Sequence, residues 1–350
     1  MLKSFALNNR YIGEGHPVFI VAELSANHLQ NFDNAVKLIK EAKKAGADAV
    51  KLQTYTADTI TIDCDNKYFQ ITQGTIWDGT TLHKLDQEAY TPWEWQPKLK
   101  EIAEEIGLVC FSSPFDLTAV DFLEDLGVPA YKIASFEIND LPFIEYIASK
   151  GKPIIISTGI ATLVDIEEAI SACKRMGNDQ VALLKCTSAY PSPLEEINLN
   201  VIPNMEKTFN VIPGISDHTL GHAVAVGAVA LGAKIIEKHI TLSRAEGGPD
   251  SQFSMEPNEF AAMVKAIRDV EKALGQVTYE LTEKQKKSRE HARSLFVITD
   301  IKKGEIFTEN NVRSIRPGYG LPTKFINEIL GKKAKSDIKK GTPMNWDLVD

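Results

Sequence analysis

Short apolar runs recur along this chain, and each run ends in polar residues. The eight runs are 19–23, 49–54, 109–114, 131–135, 154–159, 183–188, 215–218 and 235–239. Continuous apolar runs of this kind are typical of parallel strands that are buried on both faces. The pattern therefore predicts eight parallel strands with polar residues at one end of each.

Amphipathic segments separate these runs. In the segment 34–45, apolar residues recur at helical spacing, namely Ala35, Leu38, Ile39 and Ala42. Strands that alternate with helices require crossover connections, so the predicted fold is an α/β (β/α)8 barrel, in which the carboxyl ends of all strands meet on one face. The segment 55–93 is too long for a simple connection and is predicted to be a lid or specificity element on that face.

The alternation ends after a predicted helix at 258–274. Farther on, the sequence Asp-Ile-Lys-Lys-Gly occurs twice, starting at Asp300 and Asp337, and each copy is followed by a valine twelve residues after its aspartate. Two copies of one unit predict a small pseudo-symmetric domain, with chance similarity of two Lys-Gly turns as the alternative. The predicted organisation is a barrel domain at 1–275, a linker at 276–290 and a small domain at 291–350.

The composition narrows the class of protein. The chain has 350 residues and a net charge of −8, which argues against a nucleic-acid surface because phosphate binding needs a concentrated basic face. Its four cysteines are too widely spaced for a zinc or disulfide framework and are predicted to be reduced thiols. The weakly polar stretch 223–233 is far shorter than the roughly 20 residues of a membrane span, so no membrane contact is expected. The absence of a signal-like amino terminus favours a cytoplasmic protein.

Two lysines and five serines stand at the ends of the predicted strands. Lys51 and Lys132 end apolar runs, where an ammonium group is costly unless it meets an anion. The serines on the same rim are Ser113, Ser135, Ser157, Ser188 and Ser216. Ammonium groups beside hydroxyls predict a phosphate or carboxylate site. The alternative is internal pairing of the lysines with Glu23 or Glu137.

His218 and His239 end the seventh and eighth runs, which become neighbours when the barrel closes. Their imidazoles could meet on one divalent cation that keeps open coordination positions, as a catalytic metal does. Hydrogen-bonded core histidines are the alternative. Glu23 ends the first run and faces the same rim, where it either orients a water or a substrate hydroxyl, or forms a salt bridge with Lys51.

Many of these residues lie in motifs that resemble the sialic acid synthases. In chain order the motifs are Ala22-Glu23-Leu-Ser-Ala-Asn27-His28, Lys51-Leu-Gln53-Thr54, Ser112-Ser113-Pro114-Phe115, Tyr131-Lys132-Ile-Ala-Ser135-Phe-Glu137, Ser157-Thr-Gly159, Cys186-Thr187-Ser188-Ala-Tyr190-Pro191, Ser216-Asp217-His218-Thr and Glu237-Lys-His239. The tail, with Arg316-Pro-Gly-Tyr-Gly320, resembles the antifreeze-like (SAF) domain of that family. The resemblance covers essentially the whole chain and implies a TIM barrel followed by an SAF domain.

The resemblance implies an enzyme that condenses phosphoenolpyruvate with an amino-sugar aldehyde and forms a carbon–carbon bond. The segment between the second and third strands is most similar to the branch of the family that makes pseudaminic acid. In that branch the sugar would be 2,4-diacetamido-2,4,6-trideoxy-β-L-altropyranose, and the products would be pseudaminic acid and phosphate. The N-acetylneuraminate and legionaminate branches are the alternatives.

By position, the resemblance also implies roles for individual residues. The residues that would bind phosphoenolpyruvate are Lys51, Ser113, Lys132, Ser135, Ser157, Ser188 and Ser216, and Glu137 joins the substrate-binding set. His218 and His239 would hold Mn²⁺, with Mg²⁺ and Co²⁺ as alternatives. The residues that would meet the sugar are Gln53, Tyr190 and Asp250, while Glu23 would handle the water or proton step. Arg316 would reach the sugar from a partner's SAF domain, which implies a domain-swapped homodimer.

Two rival functions stay open from the sequence. An aldolase would use Lys51 or Lys132 to form a Schiff base with its substrate. A sugar-binding or ice-binding protein would use its tail domain as the active part. Borohydride trapping tests the first rival, and phosphate release that requires both substrates would exclude the second.

Overall fold

The computed structural model describes residues 3–350. The chain divides into two compact units, Met1–Gly275 and Gln276–Asp350. Within residues 3–350, no helix is both long and apolar enough to cross a membrane.

Eight parallel strands of the first unit close into a barrel. The strands of this unit are β1 (Ser4–Leu7), β2 (Arg10–Gly13), β3 (Phe19–Glu23), β4 (Ala49–Thr54), β5 (Val109–Pro114), β6 (Tyr131–Ile133), β7 (Ile154–Ser157), β8 (Val181–Cys186), β9 (Ile212–Asp217) and β10 (Ile235–His239). Strands β3 to β10 pair in chain order, and β10 pairs with β3 to complete the ring. The predicted α/β barrel is therefore confirmed.

Helices alternate with the barrel strands, and the long connection after β4 carries two more. They are α1 (Phe32–Ala45), α2 (Ala57–Ile60), α3 (Leu82–Ala89), α4 (Gln96–Glu105), α5 (Leu117–Asp125), α6 (Leu141–Ser149), α7 (Leu163–Arg175), α8 (Val201–Phe209), α9 (Ala223–Ala230) and α10 (Pro257–Leu274). In α1 the Asn31 side chain accepts a hydrogen bond from the backbone N–H of Asn34, and Gly46 ends the helix with φ 93°. Amide capping at the start and a left-handed glycine at the end fix both boundaries.

An amino-terminal hairpin, β1–β2, packs across one end of the barrel and was not predicted. Its Phe5, Leu7 and Ile12 are buried in one cluster with residues from the starts of the barrel strands, such as Phe19 and Ile235. Because those strand starts lie opposite the carboxyl ends, the hairpin closes the face away from the polar rim. Each strand of the hairpin has only four residues, too few to show a clear alternation.

The long connection between β4 and α4 is ordered by its own contacts. It contains α2 and α3, and His83 on α3 lies 2.9 Å from the Asp58 carboxylate on α2. The indole N–H of Trp93 donates to the carbonyl of Tyr55 (3.0 Å), and the indole N–H of Trp77 donates to the carbonyl of Pro249 (2.8 Å). The second bond ties this connection to the loop that follows β10.

The second unit pairs its two repeated turns with each other. Its elements are α11 (Glu283–Arg289), β11 (Ser294–Val297), β12 (Val312–Ile315) and α12 (Ile326–Ile329). Ile301 and Ile338, one from each repeat, exchange both backbone hydrogen bonds. Asp300 accepts from the Lys339 ammonium and the Lys340 backbone amide, and the equivalent Asp337 accepts from the first repeat in the same way. This reciprocal pairing accounts for the repeat.

Candidate active site

A cavity of about 260 Å³ opens at the carboxyl ends of the barrel strands. Two groups of side chains stand out in its lining. The charged floor consists of Glu23, Lys51, Lys132 and Glu237, which are all carried by strands and nearly inaccessible to solvent. The aromatic wall consists of Tyr55, Trp77, Phe115, Tyr190 and Phe253, which are all carried by loops.

The charged floor is a compact network of two lysines and two carboxylates. Lys51 Nζ lies 2.5 Å from Glu23 and 3.9 Å from Glu237, while Lys132 Nζ lies 4.0 Å from Glu237. The sequence left internal pairing of the lysines with Glu23 or Glu137 as the alternative to an anion site. Lys51 pairs with Glu23, but Glu137 is not within ion-pair distance of Lys132. The carboxylate within ion-pair distance is instead Glu237, because β10 places Glu237 on the inner face of the barrel, two residues before His239.

Hydroxyl groups complete the floor. Ser216 donates to Glu237 (2.8 Å), Lys132 donates to Ser157 (2.6 Å), and Lys51 donates to Ser113 (3.2 Å). Each ammonium group therefore has at least one carboxylate and one hydroxyl nearby, and rearrangement of these contacts would free donors for an anionic ligand.

Burial and neighbouring charges shift the pKa values of the floor residues in opposite directions. Burial raises the pKa of Glu23 to about 7, although Lys51 acts to lower it. Burial would also raise the pKa of Glu237, but Lys51 and Lys132 outweigh it and hold that pKa below its usual range. Burial lowers the pKa of Lys132. Glu237 thus carries the firmer negative charge, and Glu23 can exchange a proton near neutral pH.

The two imidazoles that the sequence proposed as metal ligands lie side by side. The ring centroids of His218 and His239 are 5.2 Å apart, and both rings line the cavity. The Nδ1 atom of His239 is buried without a hydrogen-bond partner among residues 3–350, as is Oε2 of Glu237. Burial lowers the pKa of His239 well below its ordinary value, so this ring is neutral. An unpartnered neutral imidazole nitrogen fits a metal ligand.

The pair would supply only part of a coordination shell. Within residues 3–350, no group of three or more His, Cys, Asp and Glu side chains is arranged to hold a metal ion. A cation held by His218 and His239 would therefore keep positions for water and substrate. Cys186 lies next to this pair, with Sγ 3.8 Å from Nδ1 of His218.

A fully buried ion pair stands behind the imidazoles, on the outer face of β9 and β10. Lys238 Nζ lies 2.7 Å from Asp217 and donates to the carbonyl of Thr219 at 2.5 Å. Asp217 in turn accepts from the backbone amide of Thr219 at 2.9 Å. These bonds hold the backbone on both sides of His218.

The proposed sugar-binding residues are linked to Glu23 through Ser25. Gln53 Nε2 donates to Glu23 and to Ser25, each at 3.1 Å, and Ser25 donates to the carboxylate of Asp250. Tyr190 lies across the cavity, with its ring centroid 4.6 Å from that of His218. Ser25 was not predicted, and its positive φ of 44°, which bends the chain directly after β3, has no clear signal in the sequence.

The other predicted residues divide between the cavity and its surroundings. Ser135 lines the cavity and accepts from the backbone amide of Gly159 at 3.0 Å. Four predicted residues are not part of the lining: Ser113, Glu137, Ser188 and Arg316. Arg316 belongs to the second unit and is exposed there.

Several lining residues were missed by the sequence reasoning. Glu237, Cys186, Trp77 and Phe253 all line the cavity. For Glu237 a signal was present, because residues two apart on a strand face the same side and His239 was already placed on the rim. For Trp77 the only signal was the prediction that 55–93 is a lid or specificity element, and for Phe253 there was none, since the place of both residues depends on the course of long loops.

Comparison with known proteins agrees with this arrangement. The sequence profile of the NeuB family matches residues 38–279, and that of the SAF domain matches residues 292–350. The chain belongs to the NeuB family. This membership confirms the resemblance to the sialic acid synthases.

Relatives of this NeuB-family chain match it over nearly their whole length. A pseudaminic acid synthase of Campylobacter jejuni, strain 81-176, is 49% identical over 93% of this chain and 94% of its own length. A pseudaminic acid synthase of Helicobacter pylori is 48% identical over 95% of this chain and 98% of its own. The crystal structure of an N-acetylneuraminic acid synthetase from Leptospira borgpetersenii, in complex with citrate, superposes with a TM-score of 0.73 at 32% identity, over 81% of this chain and 94% of that one.

Proposed function

We propose that this protein is a pseudaminic acid synthase. It condenses phosphoenolpyruvate with 2,4-diacetamido-2,4,6-trideoxy-β-L-altropyranose and water to give pseudaminic acid and phosphate. The observation that carries the proposal is the pairing, in one cavity, of two buried lysines with two buried imidazoles at barrel strand ends. The similarity to pseudaminic acid synthases, 49% identical over 93% of the chain, supports this choice of sugar.

The charged floor supplies the anion site. Lys51 and Lys132, with Ser135, Ser157 and Ser216, bind the phosphate and carboxylate of phosphoenolpyruvate. The methylene carbon of phosphoenolpyruvate attacks the aldehyde carbon of the open-chain sugar, water adds at the former enol carbon, and phosphate leaves. Fixed ammonium groups in a buried site stabilise the anionic groups throughout. Glu23, with a pKa of about 7, transfers the proton of the attacking water.

Other polar groups of the cavity bind the metal and the sugar. His218 and His239 would hold Mn²⁺, with Mg²⁺ and Co²⁺ as alternatives, and the bound cation would supply Lewis acidity at the aldehyde oxygen. Gln53, Tyr190 and Asp250 contact the sugar.

Mass spectrometry of defined mixtures tests the proposed reaction. The protein is incubated with Mn²⁺, phosphoenolpyruvate and one sugar at a time: the diacetamido altrose derivative, the legionaminic acid precursor or N-acetylmannosamine. We expect a nine-carbon acid and one equivalent of phosphate, with the altrose derivative preferred. Preference for another sugar would move the protein to that branch of the family. Phosphate release without sugar, or no product from any mixture, would refute the proposal.

The same mixtures separate the rival functions. Borohydride added during turnover should trap no covalent adduct, whereas an aldolase working through Lys51 or Lys132 would be reduced to a stable amine. A protein that only binds sugars would release no phosphate.

We also propose that the active form is a domain-swapped homodimer in which Arg316 of one subunit meets the sugar in the partner's barrel. The diacetamido sugar is uncharged, so the guanidinium acts as a hydrogen-bond fork to an acetamido oxygen. Mixing inactive Arg316→Ala protein with inactive Glu23→Ala protein should restore activity, because heterodimers contain one intact composite site. Arg313→Ala is the matched control for an exposed arginine nearby and should stay active alone. Verified subunit exchange without rescue would contradict the swap.

A further inference from the structure

Three rings of the aromatic wall, those of Trp77, Tyr190 and Phe253, pack against one another at the cavity. The ring centroid of Trp77 lies 5.3 Å from that of Tyr190 and 6.5 Å from that of Phe253, and the rings of Tyr190 and Phe253 are 5.1 Å apart. Phe115 lines the same cavity and contacts Tyr55 edge-on at 5.1 Å. An aromatic surface of this kind favours apolar groups of a ligand and offers little to a hydroxyl.

Trp77 is held rigidly and has no polar group left for a ligand. Its only polar atom, Nε1, donates to the carbonyl of Pro249 at 2.8 Å. A hydroxyl pressed against the Trp77 ring would therefore lose its water without gaining a hydrogen bond from the indole.

Trp77 lies within reach of the far end of a six-carbon sugar. The Tyr190 ring centroid is 4.6 Å from that of His218 and 5.3 Å from that of Trp77, so the Trp77 and His218 rings are at most about 10 Å apart. Five carbon–carbon bonds of about 1.5 Å give an open-chain sugar an end-to-end length of roughly 6 Å. With the aldehyde carbon at the imidazoles, the sixth carbon reaches the wall.

We propose that Trp77 is a specificity-determining residue that selects a sugar whose sixth carbon is a methyl group. The inference rests on the proposed condensation and assigns the choice between 6-deoxy and 6-hydroxy sugars to this ring. The methyl group packs on the indole, whereas a 6-hydroxyl is left without a hydrogen-bond partner there. Rejection of an added hydroxyl by an apolar pocket is about 100-fold in comparable enzymes.

The test compares two sugars that differ at one position. The substrates are 2,4-diacetamido-2,4,6-trideoxy-altropyranose and its 6-hydroxy counterpart, and the readout is the ratio of their kcat/KM values. We expect the unmodified protein to prefer the 6-deoxy sugar about 100-fold, and Trp77→Ala to prefer it less than about 10-fold. Trp77→Phe should keep most of the preference, since it keeps the ring.

A second tryptophan of the same connection provides the control. Trp93 also donates its indole N–H to a backbone carbonyl, but it does not line the cavity. Trp93→Ala should keep the wild-type ratio even if the overall rate falls. An unchanged ratio in Trp77→Ala would overturn the inference. Equal loss of the 6-deoxy preference in Trp77→Phe and Trp77→Ala would also overturn the inference. The preference would then depend on the hydrogen bond to Pro249, which both variants lack, and not on the ring contact.

Failure of the proposed function can be told apart from failure of this inference. If the unmodified protein turns over neither sugar, the proposed condensation is wrong. Calorimetric binding of the two sugars then decides on the role of Trp77. Tighter binding of the 6-deoxy sugar that disappears in Trp77→Ala supports the role, and equal binding of both sugars by the unmodified protein refutes it.

Discussion

The charged floor and the aromatic wall line one cavity but are built in different ways. The floor lies on β3, β4, β6 and β10, whose paired register fixes each side chain relative to its neighbours. The wall lies on loops and depends on contacts such as the one from Trp77 to Pro249. Groups that handle charge need the rigidity of strands, whereas groups that select a substrate can vary with the loops that carry them.

The strongest test of the floor is Lys132→Met. We expect phosphoenolpyruvate affinity to fall by about 10²- to 10³-fold, because a buried ammonium group is lost and Glu237 loses its neighbour. Sugar affinity should change far less. Isothermal titration with each substrate measures both, and Lys265→Met, which removes an exposed lysine, is the matched control. Equal weakening of both substrates would mean that Lys132 supports the barrel and not the anion site.

The second test removes one imidazole from the edge of the floor. His239→Ala should weaken Mn²⁺ binding by about 100-fold or more, since one of two nitrogen ligands is lost. Equilibrium dialysis measures metal binding without reference to turnover. His83→Ala, which removes a histidine outside the cavity, should bind metal normally. Unchanged binding in His239→Ala, or full activity after chelator treatment, would contradict the metal assignment.

The third test concerns Glu137, which borders the floor without lining the cavity. Burial raises its pKa from 4.5 to about 7, so the folded protein retains this proton over a range in which the unfolded chain releases it. The contribution of Glu137 to the unfolding free energy is fully present below pH 4.5 and is lost as the pH rises through about 7. At about 1.4 kcal/mol per pKa unit, the loss is at most about 3 kcal/mol.

Glu137→Gln should remove this dependence. Urea denaturation at pH 5 and pH 8 should show a smaller drop in unfolding free energy for Glu137→Gln than for the unmodified protein. Glu195→Gln, at an exposed position, should behave like the unmodified protein. If the unfolding free energy fell equally in all three proteins, burial would not raise the pKa of Glu137.

The smallest effect is expected from the wall. Phe115→Ala should raise the KM for the sugar by about 10-fold through lost apolar contact, while the KM for phosphoenolpyruvate stays the same. Phe122→Ala is the control, because Phe122 packs against Trp93 away from the cavity. If Phe115→Ala affected phosphoenolpyruvate more than the sugar, the division between floor and wall would be wrong.

The same division separates what the sequence could predict from what it could not. Strand ends show in the sequence as apolar runs that finish in polar residues, so Lys51, Lys132, His218 and His239 could be placed on one rim. The strand that the sequence places at 215–218 begins earlier in the structure, at Ile212. Pro213-Gly214 reads as a turn but lies inside β9.

Contacts between distant parts of the chain gave no such signal. Trp77 donates a hydrogen bond to Pro249, which is 172 residues away in sequence. Hydrophobic periodicity carries no information on a contact between residues so far apart. The partner of Lys132 was missed for a related reason. Glu237 reaches it across the barrel interior, and that geometry depends on closure of all eight strands.

The reciprocal turns of the second unit make it comparable to an isologous dimer fused into one chain. Asp300 finds its donors in the second turn, and Asp337 finds its donors in the first. Ile338, Met344 and Val349 also belong to the core of this unit. The last residues of most domains can be trimmed at little cost. Here residues 337–350 supply one of the two paired turns and part of the core. The smallest piece of this unit that can fold must therefore extend beyond the end of the second turn.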